Sequence, residues 1–120
     1  MKNGILMDGE NLLCRRGDTG VIRVRVYPHA PIEGFSKRGE VYRWREGDTA
    51  TITIKRKIKD ESPILQKESA DGFFVFTHDD TKALPFGIYW YDIQVKTREA
   101  QYFTVAGPAQ FHLLPSIQGG

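Results

Sequence analysis

Apolar and polar residues alternate in several short runs of this chain, and this period of two constrains the fold more than any other feature. Residues 21–27 read Val-Ile-Arg-Val-Arg-Val-Tyr, so every second side chain of an extended chain would be apolar. Residues 51–58 repeat the pattern with Thr and Ile, whose branched side chains pack well on a pleated surface. Alternation of this kind predicts two β-strands with one buried face each.

Both predicted strands follow nearly the same five residues. Residues 15–19 read Arg-Arg-Gly-Asp-Thr and residues 45–49 read Arg-Glu-Gly-Asp-Thr. Gly supplies a positive φ and the Asp carboxylate bonds nearby N–H groups, which together are typical of a tight turn. We call these segments the first turn and the second turn. They predict two strand–turn–strand units. Residues 11–16 would form the strand before the first turn, and residues 41–45 would form the strand before the second turn.

The remaining sequence continues in short extended runs. Asp71-Gly72 is typical of a hairpin turn, and Thr77 followed by an acid at Asp80 predicts one helical turn over residues 78–84. Residues 28–39 hold two Pro and two Gly, which predicts an exposed connection. Further strands are predicted over residues 64–68, 73–76, 88–96, 101–105 and 110–114.

About eight short strands separated by turns predict an all-β fold, and at 120 residues we expect an immunoglobulin-like antiparallel β-sandwich. The composition, 40% hydrophobic and 27% charged, is that of one globular domain, which we place at residues 1–120. The expected core consists of Ile22, Val24, Val26, Ile52, Ile54, Phe74, Phe76, Tyr89, Tyr91, Ile93, Val95, Phe103, Val105, Phe111 and Leu113.

The residues that usually carry chemistry do not form a recognisable constellation. His29, His78 and His112 lie in different segments without a second ligand at metal-binding spacing, so no metal site is predicted. Cys14 lies in an apolar stretch and is interpreted as a small buried hydrophobe. Phosphate-binding and nucleophile motifs are missing from the sequence, so we expect neither catalysis nor a cofactor nor a small-molecule substrate.

Targeting signals are also missing. The N-terminal residues have no apolar run after their one Lys, and no apolar run of eighteen residues occurs anywhere. A single cysteine suits a reducing compartment. We therefore expect synthesis in the cytoplasm, no secretion by a signal peptide and no membrane partner.

Charge is distributed unevenly along the chain. Residues 15–59 carry twelve Lys and Arg against five Asp and Glu, whereas residues 60–120 carry four against eight. The basic half could neutralise phosphates, but no nucleic-acid motif accompanies it, so nucleic acid is an unlikely partner. Two simpler explanations account for the charges. One is a solvated sheet face, and the other is a set of complementary patches through which copies of the protein attract one another.

Alternation also predicts which side chains face outward. In residues 88–96, Trp90 shares a side with Asp92, Gln94 and Lys96, and an outward Trp among polar groups is typical of a contact hot spot. The alternative, that the 28–39 connection covers Trp90, is equally open. The predicted partner-binding residues are Trp90, Asp92, Lys96, Arg23 and Arg25.

The second half of the chain resembles a known group of proteins. Residues 80–93 read Asp-Thr-Lys-Ala-Leu-Pro-Phe-Gly-Ile-Tyr-Trp-Tyr-Asp-Ile, and Gly-Asp-Thr opens strands at residues 17 and 47. These motifs resemble small β-sandwich proteins of phages and prophages of Gram-positive bacteria, similar to the N-terminal domain of baseplate upper proteins. The resemblance is specific over residues 45–114.

This resemblance implies a non-enzymatic virion component, of tail or baseplate type, that works through protein–protein contacts. Its partners would be other virion proteins or copies of itself. A second hypothesis is a carbohydrate-binding or host-adhesion module in which Trp90, with Tyr89 or Tyr91, stacks on a sugar.

Overall fold

The computed structural model describes residues 3–26 and 42–115, and their secondary structure is almost entirely β. The described chain forms eight strands and one short helix. This confirms the predicted all-β class and the helical turn after Thr77. The elements are β1 (Ile5–Asp8), β2 (Asn11–Arg15), β3 (Gly20–Arg23), β4 (Thr49–Lys55), β5 (Leu65–Ser69), β6 (Phe73–Phe76), α1 (His78–Thr81), β7 (Gly87–Lys96) and β8 (Tyr102–Leu114).

The strands form two sheets of unequal size. The large sheet has the order β1-β2-β8-β7-β4-β5, and the small sheet pairs β3 with β6. Most pairs are antiparallel, but β2 runs parallel to β8, with Leu12 opposite Phe111. The predicted antiparallel pairing is found in the other strand pairs, and the β2–β8 pair departs from it. Alternation fixes where side chains point and not which distant strand becomes the neighbour.

The two sheets pack face to face around one core. Phe76 of β6 stacks on Phe111 of β8 with ring centroids 6.2 Å apart, and the inner residues of both sheets belong to one buried cluster. β6 lies beside β5 and β3 lies beside β1, so the small sheet spans the inner face of the large one between its two edges. The outer faces of the two sheets therefore lie on opposite sides of the molecule.

Most of the predicted core is buried, with three exceptions. Val26 and Val105 are half-buried, and Phe103 is 36% exposed. Val26 follows the end of β3, Phe103 is the second residue of β8, and Val105 lies where the β7–β8 register slips. Each exception thus lies where a strand ladder ends or breaks, which alternation alone does not reveal.

Two predicted strands are shorter than expected. β3 ends at Arg23 because its four-residue partner β6 begins at Phe73, directly opposite. β4 ends at Lys55, and residues 42–45 are not in a strand, so the second turn lacks the entering strand that the first turn has. Tyr27, residue 41 and the predicted connection at residues 28–39 lie outside the described residues.

The predicted hairpin at Asp71–Gly72 is instead a corner between the sheets. β5 pairs with β4 whereas β6 pairs with β3. The Asp71 carboxylate accepts bonds from Ser69 Oγ at 2.9 Å and from Phe73 N at 3.1 Å, which stabilises the change of direction. Gly72, with φ +86°, packs against the indole of Trp44, where a Cβ would lie 2.6 Å from Nε1.

The two predicted closing strands are one continuous strand, β8, and a strand at the N-terminus was missed. Gly107 lacks a Cβ and packs against Tyr91 and Asp92 of β7, so the Gly-Pro sequence produces a register irregularity without ending the strand. β1 forms a hairpin with β2 around Gly9, which has φ +62°. Residues 5–8 show no sustained alternation, which is why the sequence did not predict β1.

Candidate interaction surfaces

The predicted site residues are divided between two outer faces. Trp90, Asp92 and Lys96 lie on β7, which has a neighbouring strand on each side in the large sheet. They alternate along the strand with side chains that are buried, namely Tyr89, Tyr91, Ile93 and Val95. Arg23 lies at the end of β3 in the small sheet. Arg25 is exposed two residues beyond the end of that strand. The structure therefore brings Trp90 and Asp92 together, and it places Arg23 on the outer face of the other sheet.

Trp90 and Asp92 line a shallow depression of about 50 Å³ on the outer face of the large sheet. Both side chains are half-buried. Trp90 lies opposite Lys55 and Asp92 lies opposite Thr53 on the adjacent strand β4. We call this the Trp90 depression, and its lining residues are Thr53, Lys55, Ile58, Trp90, Tyr91, Asp92 and Pro108.

The strand irregularity of β8 shapes this depression. A Cβ at Gly107 would lie 2.9 Å from the Cα of Asp92 and would clash with the carbonyl of Tyr91. Only glycine allows this contact, since its φ of +83° is also unfavourable for other residues. Pro108, the next residue, lines the depression together with Asp92.

Lys96 lies at the far end of β7 from the Trp90 depression. Its ammonium nitrogen is 5.7 Å from the centroid of the Tyr102 ring, a cation–π contact across the β7–β8 pair. Both side chains are exposed. Lys96 therefore contributes to the same outer face as Trp90 but not to the same depression.

The outer face of the small sheet is apolar. Val21 is opposite Val75, and Arg23 is opposite Phe73. Val21, Phe73 and Val75 are 42%, 43% and 56% exposed, and the Arg23 guanidinium carbon lies 5.4 Å from the centroid of the Phe73 ring. We call these four residues the small-sheet patch. Three large apolar side chains side by side in water are a common mark of a contact surface.

Asn3 closes one edge of this patch. Its side-chain amide donates to the carbonyl of Val21 at 2.8 Å and accepts from the Val21 N–H at 3.0 Å. It thus pairs with the β3 edge as the backbone of another strand would. The Asn3 oxygen also accepts from the N–H of Ile5 at 3.1 Å, which ties β1 to β3.

A wider open depression lies between β1, the first turn and the end of β8. Its volume is about 420 Å³, and its lining includes Leu6, Leu13, Arg15, Asp18 and Leu114. Cys14 also borders it, but burial and the negative charge of Asp18 raise the pKa of this thiol to about 11. At neutral pH the thiol is therefore protonated and a poor nucleophile.

The titratable residues of α1 have structural partners. Asp80 accepts from the N–H of Thr77 at 2.7 Å and forms an ion pair of 2.8 Å with Lys67, while Asp79 forms an ion pair with Lys82. The capping interpretation of Asp80 is thereby confirmed. No group of three or more metal-ligating side chains occurs within residues 3–26 and 42–115. In the same ranges no helix has the length and apolar character needed to cross a membrane.

Sequence reasoning missed the small-sheet patch apart from Arg23. The available signal was the unbroken apolar run Phe-Phe-Val-Phe at residues 73–76, in which alternation must turn two side chains outward if the other two are buried. It also missed Lys55, Ile58 and Pro108 beside Trp90, because that proximity depends on strand register.

Comparison of the chain with protein-family models, with curated proteins and with solved structures finds no match in any of the three. Function must therefore be inferred from the surfaces that the described residues form.

Proposed function

We propose that this protein is a non-enzymatic assembly module whose work is protein–protein contact. The observation that carries the proposal is the small-sheet patch, where Val21, Phe73 and Val75 stand exposed next to one another. Their exposure to water costs about 25 cal/mol of free energy for each Å² of apolar surface. A docked partner that covers these side chains would recover that free energy. Arg23 over Phe73 adds an amphipathic side chain of a type enriched in interfaces.

The setting that we propose is a phage or prophage virion, in a tail or baseplate structure assembled in the bacterial cytoplasm. Support comes from the resemblance of residues 80–93, with the Gly-Asp-Thr turns at residues 17 and 47. The finer fold assignment, an immunoglobulin-like sandwich, belongs to the same proposal. Two face-to-face sheets with a shared core support it, whereas the parallel β2–β8 pair is a departure from a purely antiparallel sandwich.

The experiment measures binding between the purified protein and the products of its flanking genes, by calorimetry. Val75→Lys places a charge in the centre of the patch and should abolish binding to the true partner without lowering the melting temperature. Ile88→Lys is the matched control, because Ile88 is 52% exposed on the outer face of the other sheet. Equal binding by wild type and Val75→Lys, or no binding to any flanking product, would contradict the proposal.

A second candidate function is recognition of a carbohydrate at the Trp90 depression. A half-buried Trp beside Thr53 and Asp92 combines a stacking surface with hydrogen-bonding groups. A glycan array compares wild type with Trp90→Ala. Glycans bound by wild type and lost in the variant would support this function, while an array without hits would exclude it for the glycans tested.

A further inference from the structure

One row of residues crosses the outer face of the large sheet and has charges of opposite sign at its two ends. Asp8 is opposite Asn11, whose side chain accepts a bond of 3.1 Å from the N–H of Gln110. Gln110 is opposite Trp90, and Trp90 is opposite Lys55. The row crosses five strands, a width of about 19 Å at the usual strand spacing of roughly 4.8 Å.

The basic end consists of the last residue of β4 and the start of the β4–β5 connection. It carries four cations within five residues, namely Lys55, Arg56, Lys57 and Lys59. Arg56, Lys57 and Lys59 are exposed, and among the described residues none of the four forms an ion pair. We call these four residues the basic loop.

Asp60, an acidic residue of the same connection, forms hydrogen bonds within the connection. The carboxylate of Asp60 accepts a bond of 3.1 Å from the N–H of Lys57, and the N–H of Asp60 donates to the carbonyl of Lys57 at 3.0 Å. These bonds hold the loop in a turn. The neighbouring cations remain available to an external acidic group.

The acidic end is the β1–β2 hairpin, where Asp8 is the last residue of β1 and Glu10 lies in the turn. Both are exposed, and neither carboxylate forms an ion pair within the described part of the chain. The hydroxyl of Tyr91 donates to the carbonyl of Glu10, which anchors the turn to the large sheet. We call Asp8 and Glu10 the acidic turn.

We propose that the basic loop of one copy of this chain docks on the acidic turn of the next copy, so that copies associate head to tail. The inference rests on the proposed assembly function and names a second partner surface for it, distinct from the small-sheet patch. The charges are complementary, and they lie at the two ends of the row, at the end of the edge strand β1 and at the end of β4, which neighbours the edge strand β5. A contact between two different surfaces of the same chain leaves a free surface at each end and generates a ring or a filament.

The expected association is weak and sensitive to salt. Its charged groups are exposed, and exposed ion pairs contribute little each. Because the screening length falls from about 20 Å at 20 mM salt to about 4 Å at 500 mM, association should be seen in low salt and lost in high salt. Sedimentation velocity of the full chain in these two buffers measures this directly.

Two neutralised variants test whether the contact is head to tail. The loop variant carries Arg56→Gln, Lys57→Gln and Lys59→Gln, and the turn variant carries Asp8→Asn and Glu10→Gln. Each alone should associate about tenfold more weakly than wild type, in line with the loss of two or three exposed pairs. A mixture of the two should form one-to-one pairs with the affinity of wild type, because the intact loop of one variant can dock on the intact turn of the other. Larger species should form only with the weaker affinity of the single variants.

The control variant carries Arg43→Gln and Lys82→Gln, two exposed basic residues that belong neither to the basic loop nor to the small-sheet patch. It should associate as wild type does. A wild type that is monomeric in low salt, a mixture that forms no pairs, or an equal loss in the control would each overturn the inference. The binding of Val75→Lys to flanking gene products is measured separately, so failure of head-to-tail association and failure of the assembly function give different results.

Discussion

The first and second turns have the same backbone geometry and are held by different chemistry. In each, the N–H of the Asp donates to the carbonyl of the residue three positions earlier, at 3.0 Å from Asp18 to Arg15 and at 3.0 Å from Asp48 to Arg45. The central Gly has φ +84° in one and +93° in the other. The repeated Gly-Asp sequence therefore specifies the turn twice.

The first turn is held from outside, by α1. The N–H of Gly17 donates to Thr81 Oγ1 at 2.8 Å, and the carbonyl of Gly17 lies 2.8 Å from His78 Nδ1. A carbonyl accepts hydrogen bonds and cannot donate them, so Nδ1 of His78 carries the proton. Asp18 is only half-buried and takes no part in this clamp.

The second turn is held by its own carboxylate. Asp48 has a fully buried side chain and accepts bonds from the Tyr42 hydroxyl at 2.7 Å, from Arg45 N at 2.8 Å and from Arg98 N at 2.9 Å. The Arg45 guanidinium, 3.2 Å from Asp48, also contacts Glu99 at 2.8 Å. This network joins the turn to the loop between β7 and β8.

Comparison of the two turns shows that a repeated sequence fixes the local conformation while the surroundings assign each residue its role. The Asp of the second turn, Asp48, is buried and accepts several hydrogen bonds, whereas the equivalent Asp18 of the first turn is half-buried. Matched substitutions at equivalent positions therefore test the comparison directly.

The largest difference is expected between Asp48→Ala and Asp18→Ala. Removing a buried carboxylate leaves the Tyr42 hydroxyl and two backbone N–H groups without their acceptor, which should cost about 3 kcal/mol of unfolding free energy. Asp18→Ala should change stability by no more than about 0.5 kcal/mol. Urea unfolding of both variants measures the two values, and equal losses would show that the carboxylates play equivalent roles.

A smaller difference is expected between Gly47→Ala and Gly17→Ala. Both place Ala at positive φ, at a cost of about 1–2 kcal/mol. At Gly47 the new Cβ would lie 2.8 Å from Cβ of Arg98, whereas at Gly17 it would lie 3.1 Å from a ring atom of His78, which can turn away. Gly47→Ala should therefore be the less stable variant in urea unfolding. The reverse order would mean that α1 holds the first turn more rigidly than the network holds the second.

A still smaller effect is expected from Thr81→Val, which keeps the shape of a fully buried side chain and removes its hydroxyl. The N–H of Gly17 loses its acceptor, so stability should fall by about 1 kcal/mol. Amide hydrogen exchange monitored by NMR should speed up at Gly17 and stay unchanged at Gly47. Faster exchange at both glycines would show that the two turns are coupled.

Alternation was sufficient to predict the inner faces of most strands. It placed Ile22, Phe74, Ile52 and Tyr91 inside, and it turned Trp90 outward, because side-chain direction in a strand is a local property. The Gly-Asp turns were also predictable, since positive φ is a property of one residue.

Features that depend on distant pairing were not predictable from the sequence. Nothing local to β2 indicates that it runs parallel to β8, and nothing local to Asp71–Gly72 distinguishes a corner from a hairpin. For the same reason alternation gave Arg23 and Trp90 an outward direction but could not place them on opposite faces. The different roles of Asp18 and Asp48 likewise arise from partners elsewhere in the chain.

The smallest expected effect concerns acid stability and isolates Asp48. Burial alone would raise the pKa of its carboxyl, but bonds from the Tyr42 hydroxyl and from the N–H groups of Arg45 and Arg98 lower the pKa on balance. Because the pKa is lower folded than unfolded, this contribution to stability is complete above about pH 5 and is lost as pH falls through the folded pKa. Asp48→Asn cannot titrate, so its unfolding free energy should fall less steeply than that of wild type between about pH 5 and pH 2. Parallel curves for the two proteins would show that protonation of Asp48 is not linked to unfolding, and the contrast between the turns would then lie in their geometry alone.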